Sequence, residues 1–196
     1  MFASDCVGYA AATGYYAGRH AANFALGNPQ TFLNETQIEL ERQRIRSLVN
    51  NKRGINWKEL NLTITRIMQN YCGEIKSKQL LNIGLQLLDD LETKEITRLY
   101  SRNPHELIRS LEVINVLTNA KLIINSCLVR EASSKNLHFT RSDYPEMDPP
   151  EWHKFITIRL ENNRVKVVPL PIDYYGSLKE NYEMYNKEYI NQRRIS

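Results

Sequence analysis

Two stretches of the chain contain residues whose types and spacing could do chemistry. The first runs from Phe2 to Ala22 and places a carboxylate, Asp5, before a segment rich in glycine and alanine. Small residues let a ligand approach backbone amides closely, and the N-terminus of a helix favours negative charge. A carboxylate at the end of a strand can also accept hydrogen bonds from ligand hydroxyl groups. The pattern indicates either a ligand-binding turn or a tight strand-to-helix turn with a purely structural role.

The second stretch covers residues 130–148, where charged and aromatic side chains are dense. Three prolines between positions 145 and 150 prevent a helix from continuing through this region. An irregular loop of this kind keeps its shape only through specific hydrogen bonds and ion pairs, so a structural clamp is the favoured interpretation. The alternative is a catalytic role for His138 or Arg141.

Other common catalytic motifs are absent from the sequence. It contains no G-x-G-x-x-G, no phosphate-binding loop and no H-E-x-x-H, and no Ser or Cys lies in a recognisable nucleophile motif. The four histidines are dispersed and form no i, i+4 pair of metal ligands. The three cysteines are widely spaced and include no C-x-x-C pair, which argues against a disulfide framework and a thiolate metal site. We therefore expect no metal site and a cytoplasmic location.

The elements that must position these stretches are mainly helical. Three helices are predicted to begin at an asparagine cap followed three residues later by Gln or Glu: Asn34 with Gln37, Asn56 with Glu59, and Asn103 with Glu106. Apolar residues recur at helical spacing over residues 57–71, 80–91 and 104–134. Because the connections are short, an antiparallel helical bundle is the expected arrangement.

The two ends of the chain are predicted to differ from this bundle. Residues 1–7 resemble the end of a buried strand, followed by a turn and by a helix over about 16–26 that stops at Gly27. Near the other end, the pattern predicts a β-hairpin of strands 154–160 and 164–169, followed by a helix over about 178–190. The predicted organisation is a terminal piece with a strand, turn and helix over 1–30, a helical domain over 31–150, and a hairpin with a helical extension over 151–196.

Composition and charge narrow the class of protein. The 196 residues are 42% hydrophobic and 24% charged, with a net charge of +4, which is ordinary for a folded domain. Acidic and basic residues are interleaved, and the small basic cluster at Arg193 and Arg194 favours a solvated tail over a nucleic-acid-binding patch. No apolar run approaches the ~18 residues that a membrane span requires. We expect no nucleic-acid partner and no membrane span.

The second stretch resembles the segment that ends the long helix in the succinate dehydrogenase and fumarate reductase flavoprotein family. That family shows the pattern E-S-R-G-x-H-x-R-x-D-[YF]-P-x-R-D, followed by W-x-K. This chain matches the pattern in order at Glu131, His138, Arg141, Asp143, Tyr144, Pro145, Asp148, Trp152 and Lys154. It departs from the pattern at Lys135 and Asn136, which replace Arg-Gly, and at Met147, which replaces the second Arg. Residues 67–73 similarly resemble the second bundle helix of the family.

The first stretch is similar to the final flavin-binding strand and turn of the same family. Its Ala-Gly-x-His-Ala segment is closer to adenylylsulfate reductase alpha subunits than to succinate dehydrogenases, and the substrate-binding arginine of the family is not evident there. The resemblance implies that Asp5 hydrogen-bonds the ribityl chain of FAD. It also implies that one run of backbone amides faces the flavin ring: Thr13, Gly14, Tyr15, Tyr16, Ala17 and Gly18. Arg19 and His20 are the implied catalytic candidates on the substrate side.

The resemblance implies the C-terminal part of an FAD-dependent oxidoreductase of the fumarate reductase or adenylylsulfate reductase type. The expected partners are the FAD-domain portion of the flavoprotein and an iron–sulfur electron-transfer subunit. The dinucleotide fingerprint and the capping domain of such an enzyme would lie outside this chain. We therefore expect the isolated chain to have negligible affinity for FAD and no activity.

Two other functions are compatible with the residues. One is not an enzyme: a non-catalytic helical interaction module that docks a partner subunit. Only the mild basicity of the chain favours a nucleic-acid binder.

Overall fold

The computed structural model describes residues 3–28, 32–51, 53–162, 164–172 and 176–185. Its helices are α1 Ala3–Gly27, α2 Glu35–Asn50, α3 Trp57–Tyr71, α4 Lys78–Asp90, α5 Pro104–Val129 and α6 Leu178–Tyr185. Its strands are β1 Ile75–Lys76, β2 Thr140–Arg141, β3 Lys154–Glu161 and β4 Arg164–Pro171. Short helical turns at Leu91–Glu95, Ile96–Arg98 and Pro150–Trp152 complete the described structure. The prediction of a mainly helical fold with a hairpin near the C-terminus is confirmed.

Asparagine caps set the starts of three helices, as predicted. At the start of α3, the side chain of Asn56 accepts the N–H of Glu59 at 3.1 Å, and the Glu59 carboxylate accepts the N–H of Asn56 at 2.9 Å. This reciprocal capping box satisfies N–H groups that have no partner inside the helix. The other two predicted caps also accept from the third helical residue: Asn34 from Gln37 at 3.1 Å and Asn103 from Glu106 at 2.9 Å.

The hydrophobic core lies among α3, α4 and α5, which pack against one another. Each helix contributes fully buried aliphatic side chains from its apolar face: Leu60 and Ile64, Leu81 and Leu88, and Leu117 and Ile124. The helices approach closely at Gly84 of α4, where an added Cβ would lie 2.8 Å from the Cβ of Tyr71 and 3.2 Å from Cδ1 of Ile124. The absence of a side chain at this position therefore permits the three-helix contact.

The prediction of a strand at the N-terminus is wrong for residues 3–7, which belong to α1. Met1 and Phe2 lie outside the described residues. The predicted turn after this strand is also part of the same helix, which ends at Gly27 as predicted. A strand needs a partner for its backbone groups, whereas a helix satisfies its own. Alanine, the strongest helix former, recurs through the segment and favours the helix.

Three other predicted elements can be compared with the structure: the long helix, the hairpin and the last helix. The long helix α5 ends at Val129 instead of continuing to 134, because Arg130 takes an extended conformation and the following residues bond to residues 139–148. The hairpin is confirmed, with β3 and β4 antiparallel and Glu161 opposite Arg164. The last helix is described only as far as Tyr185, so the predicted continuation to 190 lies outside the described residues.

The described chain divides into two compact units, one up to Gln43 and one from Arg44 onward. The first contains α1 and most of α2, and the second contains the core helices, both strand pairs and α6. The three-part division predicted from the sequence stays a prediction. Within the described residues, no helix has both the length and the apolar character that crossing a membrane requires.

Candidate functional site

The segment 130–148, which we call the clamp, is organised around the buried side chain of Arg141. This side chain is 0% exposed and is the largest that is fully buried in the described structure. Its Nη1 donates to the carbonyl oxygens of Cys127 at 2.6 Å and Arg130 at 2.8 Å. Its Nε and Nη2 donate to the two carboxylate oxygens of Asp143 at 2.8 and 2.7 Å. Because the carbonyls at the end of a helix have partial negative charge, the guanidinium stabilises the end of α5.

Asp143 connects the clamp to the start of α4. Its Oδ2 accepts the backbone N–H of Lys78, the first residue of that helix, at 2.9 Å. A carboxylate is favoured at a helix N-terminus because the free N–H groups there have partial positive charge. The hydrogen bond from the Arg141 guanidinium, helped by the Lys78 N–H, lowers the pKa of Asp143 to about 2. The carboxyl group of Asp143 is therefore ionised at neutral pH.

Two serines hold the two sides of the clamp together. The hydroxyl of Ser133 accepts the N–H of Arg141 at 2.8 Å and donates to the carbonyl oxygen of Tyr144 at 2.7 Å. Ser134 hydrogen-bonds the side chain of Asp148, whose other carboxylate oxygen accepts the N–H of Lys135 at 3.1 Å. These bonds satisfy backbone groups that an irregular segment would otherwise leave unpaired.

A short parallel strand pair ties the clamp to the segment before α4. Strand β1 pairs with β2 so that Lys76 lies opposite Arg141, and the N–H of Ser142 donates to the Lys76 carbonyl at 2.8 Å. The ammonium group of Lys76 lies 4.5 Å from the ring centroid of Phe139. A cation over an aromatic face at this distance is favourable.

The tryptophan and lysine that follow the clamp also take part in cation–π contacts. Cζ of Arg130 lies 5.8 Å from the Phe139 ring and 6.0 Å from the Trp152 ring, and Nζ of Lys154 lies 5.2 Å from the latter. The buried Nε of Arg130 has no hydrogen-bond partner within the described part of the chain. The contacts that position this buried side chain include the two aromatic rings.

These contacts favour the clamp over the catalytic interpretation of the segment. The N–H groups of Arg141 are directed at partners within the protein, and the side chain is inaccessible to a substrate. His138 is exposed at the tip of the loop, with a φ of 48°. The two residues do not form one site.

The predicted flavin and catalytic residues all lie on α1. The hydroxyl of Thr13 donates to the carbonyl oxygen of Tyr9 at 2.7 Å, and the Tyr16 and His20 rings have centroids 4.3 Å apart. Arg19 and His20 are exposed neighbours in the helix, and the side chain of Asp5 lies outside the described part. Inside a helix, the amides of 13–18 bond to carbonyls one turn earlier. This conformation does not fit a flavin turn, which needs free N–H groups, so these site assignments stay predictions.

A pair of thiols was missed by the sequence reasoning. Cys72, the residue after α3, and Cys127 in the last turn of α5 have their Sγ atoms 3.9 Å apart. Neither forms a recognisable motif with its neighbours in the chain. Concerning metals, the described residues contain no group of three or more His, Cys, Asp or Glu that could hold an ion.

Comparison with known proteins identifies the family. Residues 61–189 match the model of the fumarate reductase flavoprotein C-terminal family. The match covers more than half of the chain and includes most of α3, all of α4 and α5, the clamp and the hairpin. The chain belongs to this family.

The proteins that this chain resembles are longer than the chain itself. The A-type subunit of fumarate reductase (CoM/CoB) from Methanothermobacter marburgensis is 29% identical over 149 residues, which are 74% of this chain and 26% of that protein. The structure of adenylylsulfate reductase from Archaeoglobus fulgidus superposes with a TM-score of 0.74 at 19% identity, covering 79% of this chain and 27% of that one. For E. coli quinol fumarate reductase the TM-score is 0.63 at 19% identity, with 75% and 26% covered. The chain thus spans about a quarter of the length of these relatives.

In the clamp, the residues that match the family pattern differ in role from the residues that depart from it. The matching residues Arg141, Asp143 and Asp148 make the bonds that hold the segment together. The departures from the pattern lie in exposed positions: Lys135, Asn136 and Met147. Substitutions at exposed positions leave the buried bonds of the clamp in this chain intact.

Proposed function

We propose that this chain is the C-terminal domain of an FAD-dependent oxidoreductase of the fumarate reductase or adenylylsulfate reductase type. The family match over residues 61–189 is the observation that supports this proposal most directly. In this function, the bundle of α3, α4 and α5 is a scaffold, and the clamp holds the ends of α4 and α5 in register. The redox chemistry belongs to the FAD of the complete enzyme.

The partners of the domain are the FAD-binding portion of the flavoprotein and an iron–sulfur subunit. Large apolar side chains along α1 support the need for a partner, since each is more than half exposed: Val7, Tyr9, Tyr15, Tyr16, Phe24 and Leu26. An exposed helix with such side chains gains stability when another surface covers them. The free thiols Cys6, Cys72 and Cys127 support a cytoplasmic location for the assembly.

The glycines of α1 support a different conformation for this segment in the complete enzyme. An added Cβ at Gly14 or Gly18 would meet no described atom within 4 Å, so the helix does not require glycine at either position. Each glycine costs a helix interior about 1 kcal/mol relative to alanine. We propose that the FAD-binding portion draws residues 3–18 out of the helix into the strand and turn implied by the family resemblance. Only then would Asp5 and the amides of residues 13–18 reach FAD, with Arg19 and His20 toward the substrate.

The second candidate function is a non-catalytic module that docks a partner subunit. The continuous helix α1 favours it, because its backbone amides are bonded within the helix and do not form a ligand site. In that case α1 would keep its helical form in the complex.

Co-purification of flavin distinguishes the two functions. The chain is expressed alone and together with the FAD-binding portion of its flavoprotein, and the visible absorption spectrum of each purified sample is recorded. We expect a flavin band from the pair and a colourless chain on its own. A pair that associates but stays colourless would identify the docking module. Stoichiometric flavin on the chain alone would contradict the proposal that its site is incomplete.

A further inference from the structure

The thiols of Cys72 and Cys127 are reactive groups that the proposed function does not use. Cys72 and Cys127 are 55 positions apart in the chain, yet their Sγ atoms lie 3.9 Å apart. Both are free thiols in this structure. A disulfide bond needs a sulfur separation of about 2 Å, so the two sulfurs must approach by roughly a further 2 Å.

The positions of the two residues allow this approach. Cys72 is the residue that caps α3, and its backbone dihedrals of −129° and 29° are already outside the helical range. Gly73 follows it directly. A residue at a helix end can adjust its backbone without breaking the bonds of the turns before it. Cys127, by contrast, is held in place, because Arg141 bonds its carbonyl oxygen at 2.6 Å.

The surroundings of Cys72 favour its thiolate. The hydrogen bond between the thiols, in which Cys127 can donate, lowers the pKa of Cys72 to about 7, and the positive charge of Lys76 acts in the same direction. The same hydrogen bond, together with burial, raises the pKa of Cys127. Cys72 is partly exposed and Cys127 is buried. Cys72 is therefore the accessible nucleophile, and Cys127 is the buried thiol beside it. Attacking and resolving cysteines are arranged in this way.

We propose that Cys72 and Cys127 form a redox modification site, which low-molecular-weight disulfides convert reversibly to an intramolecular disulfide. The site is independent of the proposed function and does not require FAD. Closing it links the end of α3 covalently to the last turn of α5, whose carbonyl oxygens Arg141 holds. Oxidation at this site therefore adds a covalent link at the end of α5, where Arg141 of the clamp binds.

The chemistry balances in two exchange steps. The Cys72 thiolate attacks one sulfur of the small disulfide, forming a mixed disulfide, and the other half leaves as a thiolate that takes up a proton. Cys127 then gives up its proton and attacks Sγ of Cys72, which expels the second half as a thiol. Overall, the two protein thiols are oxidised and one small disulfide is reduced to two small thiols.

The proposal is tested with oxidised glutathione on the full chain. After acid quenching and alkylation of the remaining thiols, intact-mass measurement and peptide mapping locate the modified cysteines. In the unmodified sequence, we expect a peptide cross-linked between Cys72 and Cys127 and no glutathione retained on either of these two residues. Dithiothreitol should restore both thiols, and oxidation should raise the midpoint of thermal unfolding because a long loop is closed.

Single serine variants separate the two steps. Cys127→Ser should retain glutathione on Cys72, because the resolving thiol is absent, whereas Cys72→Ser should leave the buried Cys127 unmodified. Cys6→Ser is the matched control and should behave as the unmodified sequence does. At pH 7 we expect Cys72 to react about threefold faster than an ordinary cysteine, since about 15-fold more thiolate is partly offset by lower nucleophilicity.

Two results would overturn the proposal. One is glutathione that stays on Cys72 of the unmodified sequence, and the other is a Cys72 that does not react at all. If a serine variant fails to fold, the cross-linked peptide from the unmodified sequence still decides between these outcomes.

Discussion

Arg141 and Asp143 form an ion pair with two hydrogen bonds, of 2.8 and 2.7 Å, between guanidinium and carboxylate. The same guanidinium binds the carbonyl oxygens of Cys127 and Arg130 at the end of α5. The same carboxylate accepts the N–H of Lys78 at the start of α4. One pair thus joins the negative end of one core helix to the positive end of another.

Replacing the buried guanidinium should strongly destabilise the fold. We expect Arg141→Ala to lower the free energy of unfolding by about 3–5 kcal/mol, because it leaves a carboxylate and buried carbonyls without their partner. Urea denaturation followed by circular dichroism measures this change. Arg109→Ala, which removes an exposed i, i+3 pair with Glu112, is the control and should cost below about 1 kcal/mol. Equal small losses in both variants would contradict the role of the clamp.

The stability of the chain should depend on pH through Asp143. Its pKa is lowered from 3.8 to about 2 in the folded chain, so the pair stabilises the fold above pH 3.8 and loses this contribution as the pH falls toward 2. Urea unfolding at a series of pH values should show this decline. Asp143→Asn should be less stable at neutral pH and should lose less on acidification. A variant whose pH profile parallels that of the unmodified sequence would exclude Asp143 as the cause.

The close approach of helices at Gly84 should not tolerate a methyl group. Gly84→Ala places a Cβ 2.8 Å from Tyr71 Cβ and 3.2 Å from Ile124 Cδ1, so the core helices must separate. We expect a loss of about 1–3 kcal/mol, the usual cost of overpacking. Asn82→Ala, on the exposed face of the same helix, should have little effect. A Gly84→Ala chain as stable as the Asn82→Ala chain would mean that the contact is looser than the structure indicates.

The two glycines of the predicted flavin turn should affect helix formation and flavin binding in opposite directions. We expect the double variant Gly14→Ala/Gly18→Ala to stabilise α1 in the isolated chain by about 2 kcal/mol, because alanine is the better helix former. Far-UV circular dichroism during heating follows the helix. In the complex with the FAD-binding portion, the same variant should retain less flavin, because residues 13–18 leave the helix less readily.

Gly27→Ala is the matched control for this pair, since Gly27 is the last residue of α1 and lies outside the predicted turn. It should leave flavin retention unchanged. Undiminished flavin in the double variant would contradict the proposal that residues 3–18 leave the helix to complete the flavin site.

Local features of the chain were accessible from the sequence because neighbouring residues decide them. The caps at Asn34, Asn56 and Asn103 act on the N–H groups of residues up to three positions ahead, so their spacing predicts the helix starts. The hairpin follows from two strand patterns and the turn between them. The density of charged and aromatic residues in 130–148 likewise predicted a segment held by ion pairs.

Only the tertiary structure decided which groups meet across the core. The sequence by itself determined a helical bundle with a hairpin, and its motif identified the family. It did not reveal that Cys72 and Cys127 meet, because their approach depends on how α3 packs beside α5. Its prediction of a strand over residues 1–7 was wrong for residues 3–7, which are helical. A strand requires a partner for its backbone, whereas a helix supplies its own, so the conformation of such a segment depends on what lies beside it.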